Sequence, residues 1–416
     1  MEQDREDIPT KTKSVAAALA LSMLLASLGT SIVNVALPDL AQTFAAPFHD
    51  VQGVVVAYLG AMTIVTAIAG RLGDRHGLKP MLTLGLSIFL LASCLCALAP
   101  NLGNLLAFRA VQGAGAAFLM TLTTALMRRT AKNTEIGRAM GLLGTMSALG
   151  TALGPAIGGL LIPVTGWRGL FGIQVPLAAA ALLLSLMFLP AAEQPRQTSS
   201  PAFRTTLDRS LVPHMLLNVV VASVMMTTLV IGPFYLGFGL GLPSSAVGTV
   251  MAIGPIVSIL SGVPAGRFVD AAGSASAAIG GLLLLALGSF LLALLPNFIG
   301  VVGYAVALLV LTPGYQLFQA ANNTAALADV PPHQQATVSG LLGLSRNIGL
   351  LLGASALGAM FAWSVGTEHM SEAGADAVRH GTKVTFLLAG AITSGAAGFA
   401  VRRKYLSGRP WTPSRD

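Results

Sequence analysis

Charge is what this chain has least of. Only 10% of its 416 residues are Asp, Glu, Lys or Arg, whereas a soluble domain carries about 25%. That scarcity excludes an ordinary water-facing globule. Cysteine is nearly absent, and Cys94 and Cys96 share one apolar run. This argues against a disulfide framework and against a metal site. No phosphate-cradling P-loop pattern is found, which argues against direct drive by ATP, and no cofactor is expected. What the chain has instead is apolar: 54% of its residues are hydrophobic.

Apolar segments of about 20 residues can each cross a bilayer as a helix, the one open structure that satisfies its own backbone there. Twelve are counted, at roughly 14–38, 51–70, 80–100, 103–126, 137–161, 170–190, 212–236, 246–265, 276–295, 298–325, 336–363 and 383–401. Lys11 and Lys13 precede the first as they would a secretory signal. The segment nevertheless runs on through Asn34 to Pro38 without a convincing cleavage site, and is read as a span. No aspartate or glutamate falls within any segment; Asp39 and Asp50 are assigned to the first outer loop and Asp329 to the inner side. No histidine lies at membrane depth either.

With both termini in the cytoplasm, the inner loops and tails hold 19 of the 24 basic residues. The outer loops then hold Arg168, Arg379 and Lys383, while Arg109 and Arg346 lie inside spans. This bias fixes the expected orientation of a multi-pass protein of the cell (inner) membrane. The net charge of +8 is therefore read as topology and not as a nucleic-acid surface.

Several stretches stand out within this frame. Gly141 to Gly159 reads GLLGTMSALGTALGPAIGG. Gly150, Gly154 and Gly158 recur every fourth residue, a ridge without side chains along which another helix can approach closely. Pro155 removes one helical hydrogen bond and is expected to bend the helix. Gly70-Arg71-Leu72-Gly73-Asp74-Arg75-His76-Gly77-Leu78-Lys79 joins spans 2 and 3; its glycines allow a tight turn, and Asp74 can accept from a helix N-terminus or pair with an arginine. Span 4 begins LLAFRAVQGAGAA, which sets Arg109 about 9 Å inside the membrane with Gln112 one turn on. Span 1 ends LGTSIVNVALP, with Thr30 and Asn34 on one face. GWRGLFGIQVP, Gly166 to Pro176, follows span 5.

The second half repeats the first. GLLG at Gly340 to Gly343 lies 199 residues after GLLG at Gly141 to Gly144, and Gly349, Gly353 and Gly358 match Gly150, Gly154 and Gly159 at the same offset. Ala354 stands for Pro155, so the ridge is expected to be duplicated without its bend. The loop Gly266 to Gly273, with Asp270, echoes Gly70 to Gly77 at an offset of 196. Such duplication implies two related halves with a site between them.

These stretches resemble the motifs of the major facilitator superfamily. The Gly141–Gly159 order resembles its antiporter motif, Gly70–Lys79 its loop signature GxLaDrxGrk, and the start of span 4 its lxxxRxxqGxg. The end of span 1 is similar to the LDxTIVNVALP of the drug–proton antiporters, except that Gly29 stands where those families have aspartate. GWRGLFGIQVP is similar to their GWRWIFxINVP, with Gly169 for tryptophan and Gln174 for asparagine.

The resemblance implies an all-α integral membrane protein of twelve transmembrane helices in two pseudo-symmetric six-helix halves, the major facilitator fold. The expected organisation is 1–190 and 212–416 as the two halves, with 191–211 as a cytoplasmic linker. Spans 1, 4, 7 and 10 would line a cavity, and the halves would rock around it. The implied activity is secondary transport of a small molecule, as a proton antiporter exporting an organic compound or drug; the protein is expected to be no enzyme and to work as a monomer. An uptake symporter for an organic anion, a facilitator and a non-transporting sensor remain as alternatives.

The residues expected to touch substrate are Thr30, Asn34, Gln112, Asn218, Gln316, Gln319, Asn322, Asn323 and Arg346, with Arg109 in coupling. Those expected to serve conformational switching are Gly70, Asp74, Arg75, Gly77, Gly150, Gly154, Pro155, Gly158 and Asp270. Blander readings stand beside these: Asn34 as a packing hydrogen bond, Arg109 snorkelling to the outer surface, Arg346 as a structural donor. Arg346 lies near the midplane, where snorkelling is hard. Arg109 and Arg346, the only full charges expected in the cavity, disfavour cations. If protons are coupled, they ride on the substrate or on an outer-loop acid such as Asp39.

Overall fold

The computed structural model describes residues 3–130, 136–189, 211–328, 330–331, 335–367, 370 and 372–406. The expected linker, 191–211, lies outside the described residues apart from Leu211, and so does Asp329.

No strand occurs among the described residues. The helices are α1 (Gln3–Ser31), α2 (Leu37–Thr43), α3 (Phe48–His76), α4 (Leu78–Ala97), α5 (Leu102–Thr130), α6 (Ile136–Gly172) and α7 (Gln174–Phe188). After the linker follow α8 (Val212–Phe234), α9 (Ser244–Ala272), α10 (Ser274–Leu294), α11 (Pro296–Leu327), α12 (Gln335–Leu352), α13 (Gly358–Val365) and α14 (Ala375–Leu406). They form 11 runs long and apolar enough to cross a membrane. One run, Leu142–Phe188, has 47 residues, twice the length of a crossing. It is divided at Gly166, whose φ of 64° leaves the helical region. With that division the described residues provide twelve runs long enough to cross.

The described chain forms two compact units, Met1–Ser199 with Gly241–Pro255 and Glu368–Glu372, and Ser200–Leu240 with Ile256–Thr367 and Ala373–Asp416. Each repeats the same local devices. Gly77, at φ 95°, alone separates α3 from α4, and Gly273, at φ 79°, alone separates α9 from α10. Two helices can turn on a single residue only where left-handed backbone is tolerated, which accounts for glycine at both copies of the loop.

The glycine ridges are duplicated in the packing as well. A Cβ on Gly150 would meet Ser27 Cβ at 2.9 Å and Leu28 N at 3.0 Å, and one on Gly154 would meet Ile32 N at 2.8 Å. A Cβ on Gly349 would meet Ala222 Cβ at 2.7 Å, and one on Gly353 the Ser223 backbone at 2.8 Å. The first ridge therefore seats α1 on α6, and the second seats α8 on α12.

Helix α6 runs through Pro155 and Pro163, and its one non-helical residue is Gly166; a proline can bend a helix without breaking it. Two local expectations are corrected. The second ridge is not regular, because a π-turn, Gly353–Leu357, stands where Pro155 stands in the first. Its wider hydrogen-bond ring makes an irregular backbone without proline. Finally, Asp39 is not in a loop. A 3-10 turn, Ile32–Ala36, joins α1 to α2, and Asp39 lies in the first turn of α2, where a carboxylate suits a helix N-terminus.

Candidate functional site

The first unit is organised around Arg109. It lies on α5 and is fully buried. Its Nε donates to the carbonyl of Val54 on α3 (3.2 Å), its Nη2 to the carbonyl of Gly29 on α1 (3.1 Å), and its Nη1 to Oε1 of Gln112 (2.6 Å). The guanidinium carbon sits 4.1 Å from the centre of the Tyr58 ring, a cation–π contact strengthened by exclusion of water. Tyr58 in turn donates to the carbonyl of Ala26 at 2.9 Å.

Gln112, also buried, donates to Ser93 Oγ (2.8 Å) and to Gln174 Oε1 (3.2 Å). One polar network therefore ties α1, α3, α4, α5 and α7 together. The glycines after it make room: a Cβ on Gly113 would strike the Tyr58 backbone at 2.9 Å, and one on Gly115 would meet Phe89 N at 2.8 Å. In the span 4 motif the arginine and glutamine make the bonds, and the glycines let α3 and α4 come close enough to receive them.

This arrangement corrects the expectation that Arg109 and Gln112 face a wet cavity or that Arg109 snorkels. Every nitrogen of the guanidinium is engaged inside the unit, one of them by the backbone carbonyl of Gly29. Thr30 is half-buried and returns its hydroxyl to Ala26 O at 3.1 Å. Asn34 is buried in the 3-10 turn, with Nδ2 donating to Thr30 O at 3.3 Å and Oδ1 without a partner.

The polar groups of the second unit are dispersed over several helices. Asn218 on α8 is buried and donates to Leu342 O (2.8 Å) and Ser345 Oγ (3.0 Å) on α12. Its Oδ1 is left without a partner. Asn322 on α11 is buried against His214, with Oδ1 2.9 Å from the ring Nδ1 and Nδ2 donating to the His214 carbonyl at 3.2 Å. Gln316 donates to Ser258 Oγ of α9, and Gln319 to Tyr315 OH at 3.1 Å. Asn323 and Thr324 are exposed. Arg346 is half-buried, its Nε is buried without a partner, and no hydrogen bond or ion pair to it occurs among the described residues.

Among the residues assigned to switching, Asp74 and Arg75 are exposed. Asp74 lies 3.9 Å from Arg129 Nη2 at the end of α5, a pair open to solvent and weak on that account. Gly70 has room, its nearest neighbour to a Cβ being Thr121 at 3.7 Å, and Asp270 is exposed. Gly158 contacts the span 1 backbone more loosely than Gly154 does, at 3.3 Å to Ile32 O. Gly159 is the position that faces α9, where its Cβ would meet Gly248 Cα at 2.6 Å. Beside that crossing, Ser244 Oγ donates to Asp39, with Oδ1 at 3.2 Å and Oδ2 at 3.3 Å.

A family model described as Major Facilitator Superfamily matches residues 19–354. The chain belongs to the major facilitator superfamily. It is 27% identical over 399 residues to the riboflavin transporter RibZ of Clostridioides difficile (strain 630), covering 83% of this chain and 88% of that one. It is 38% identical over 177 residues to the methylenomycin A resistance protein of Bacillus subtilis (strain 168), a match covering 42% of this chain and 38% of that one. Among solved structures, the xylose transporter XylE from E. coli in a partially occluded inward open conformation superposes with a TM-score of 0.75 at 15% identity, covering 98% of this chain and 100% of that chain. That likeness shows the fold.

Seen as a superfamily member, the chain holds site partners that its motifs alone did not disclose. Tyr58, Ser93 and the carbonyls of Gly29 and Val54 complete the Arg109 network. Polar residues in otherwise apolar spans were the available signal for Ser93 and Gln174. Nothing in the sequence marks a backbone carbonyl as a ligand. Lys79, the last residue of the loop signature, donates to Leu189 O (2.6 Å) and Leu186 O (3.2 Å), and so closes the end of α7.

Proposed function

We propose that this superfamily member is a secondary active transporter that exports a small organic molecule across the cell's inner membrane, exchanging it for protons by alternating access. Both termini are assigned to the cytoplasm by the basic-residue bias. The observation that carries the reading is the antiporter order Gly141 to Gly159, retained in full and seated as a backbone-to-backbone contact on span 1. The partial likeness to a methylenomycin A resistance protein supports export.

In this reading 1–190 and 212–416 rock as halves around a cavity lined from spans 1, 4, 7 and 10. Thr30, Asn34, Gln316, Gln319 and Asn323 are the polar groups assigned to it. Arg109 and Gln112 act one layer behind, holding the part of span 1 that carries Thr30. Coupling is assigned to Asp39, the acid at the end of span 1. The protein works as a monomer in the bilayer.

The test is flux of substrate in proteoliposomes with the proton gradient and the membrane potential imposed separately. Export that follows an opposed proton gradient at zero potential is the expected result. A second reading, a facilitator without coupling, is favoured by Gly29, which leaves the core of span 1 without a carboxylate. It requires flux that ignores both gradients and stops at equal concentrations.

A further inference from the structure

The two arginines inside the spans have opposite surroundings. Arg109 is fully buried and engaged at each of its three nitrogens by two carbonyls and one side-chain amide, with an aromatic face beside it. Arg346 has none of this. It lies nine residues into the run Thr337–Val365, about 13 Å deep. Its Nε is buried and unpaired, and no acid, carbonyl or amide among the described residues reaches the guanidinium.

Its direction follows from the helix. At about 100° per residue, positions 339, 343 and 346 share one face. Ser339 and Gly343 on that face are exposed. Ile348 and Leu352, the exposed apolar residues of α12, lie on the opposite side. Gly349, on the flank, and Gly353, one helical repeat beyond Arg346, are packed against α8. Arg346 therefore stands at the inner end of a short open stretch, Ser339 and Gly343, beyond which Leu350 and Gly353 on the same face are buried, while the exposed apolar residues of the helix point away from it. An intramembrane cation in such a place needs a counter-ion, and none occurs among the described residues.

We propose that Arg346 is the specificity-determining anchor for an organic anion, with the substrate's carboxylate or equivalent acidic group supplying the missing partner. A planar guanidinium takes a carboxylate through two parallel hydrogen bonds, which a lysine or an amide does not reproduce. The inference rests on the transport reading above and names the substrate class for it.

The experiment uses the full chain in proteoliposomes with 6-carboxyfluorescein as the anionic probe and ethidium as the cationic one. The wild type is expected to move 6-carboxyfluorescein at least tenfold faster than ethidium. Arg346→Gln is expected to lose at least tenfold of the anion flux without slowing ethidium, and Arg346→Lys to keep a part. Separately, Arg346→Cys in a Cys94→Ala, Cys96→Ala background is expected to react with the membrane-impermeant anionic reagent MTSES, more slowly when 6-carboxyfluorescein is present. Anion flux unchanged in Arg346→Gln, a wild type that prefers ethidium, or an Arg346→Cys variant inert to MTSES from both sides each overturns the anion site while leaving transport standing. A wild type that moves neither dye under any gradient overturns the transport reading itself.

Discussion

The Nη2 of Arg109 donates to the main-chain carbonyl of Gly29 at 3.1 Å. A side chain at residue 29 would begin 2.7 Å from the Tyr58 hydroxyl, 3.2 Å from its ring carbon Cζ and 3.4 Å from Phe89. The missing side chain at 29 and the buried arginine are therefore linked through Tyr58, whose ring centre lies 4.1 Å from the guanidinium carbon.

A first prediction follows for Gly29→Ala. Its methyl group has to displace Tyr58, and overpacking of this kind costs about 1–3 kcal/mol. Tyr58→Phe removes the atom in closest conflict. The double variant Gly29→Ala, Tyr58→Phe is expected to be more stable than the sum of the single changes by about 1 kcal/mol. Thermal unfolding of the detergent-solubilised proteins in a double-mutant cycle measures this. Strict additivity would remove Tyr58 from the explanation.

The two arginines separate cleanly by stability. Arg109→Lys keeps a charge but has one nitrogen where three directions are bonded, so carbonyls and Gln112 are left unpaired inside the unit. Breaking a buried charged network in this way costs about 3–5 kcal/mol. Arg346→Gln breaks no hydrogen bond found among the described residues and is expected to change stability by about 0.5 kcal/mol or less. Fluorescence-detected size exclusion after graded heating reads both. Equal losses would make Arg346 a structural residue like Arg109.

How much of this was legible beforehand differs from group to group. The crossings follow from hydropathy, since lipid leaves few alternatives. The paired loop turns at Gly77 and Gly273 follow from the repeat, because only glycine takes that backbone cheaply. The side of α5 on which Arg109 falls was not legible. Depth in a span is a one-dimensional quantity, and whether the face at that depth is wet or packed depends on what the neighbouring helices leave open, here the empty place at Gly29. The π-turn at Gly353–Leu357 carries no sequence signal comparable to proline, and Asp39 was mistaken for a loop residue because Pro38 reads as a helix end when it is the second residue of a new helix.

The glycine positions make a third prediction. Gly154→Ala would set its Cβ onto Ser31 Oγ and 2.8 Å from Ile32 N, and Gly353→Ala would press on the Ser223 backbone at 2.8 Å. Backbone cannot retreat as a side-chain tip can, so both changes are expected to lower folded yield in membranes severalfold. Gly144→Ala and Gly343→Ala meet nothing within 4 Å and gain up to about 1 kcal/mol of helix propensity. A loss of transport by Gly154→Ala at full yield and full thermal stability would instead assign the ridge to motion.

The last prediction concerns the Asp39–Ser244 contact. Both carboxylate oxygens of Asp39 lie within 3.3 Å of the Ser244 hydroxyl, beside the crossing of Gly159 and Gly248, where α6 and α9 meet without side chains. The ionised carboxylate accepts from Ser244 at both oxygens; protonation removes its charge and leaves one oxygen a donor, which weakens the clasp. Of the polar groups near it in the chain, His49 lies 3.1 Å from Asp50, and Arg168 donates to Ala99 O at 3.1 Å and sits over the Trp167 ring. If Asp39 carries the coupled proton, Asp39→Asn is an isosteric variant fixed in the uncharged state. It is expected to catalyse exchange of labelled for unlabelled substrate at a rate close to that of the wild type, because exchange needs the cavity but no net proton movement. Uphill accumulation against the proton gradient is expected to fall at least tenfold, since the energy source no longer enters the cycle. Ser244→Ala keeps the carboxylate and is expected to retain accumulation while shifting its pH dependence. Uphill transport by Asp39→Asn equal to that of the wild type would remove Asp39 from coupling and leave the substrate itself as the proton carrier.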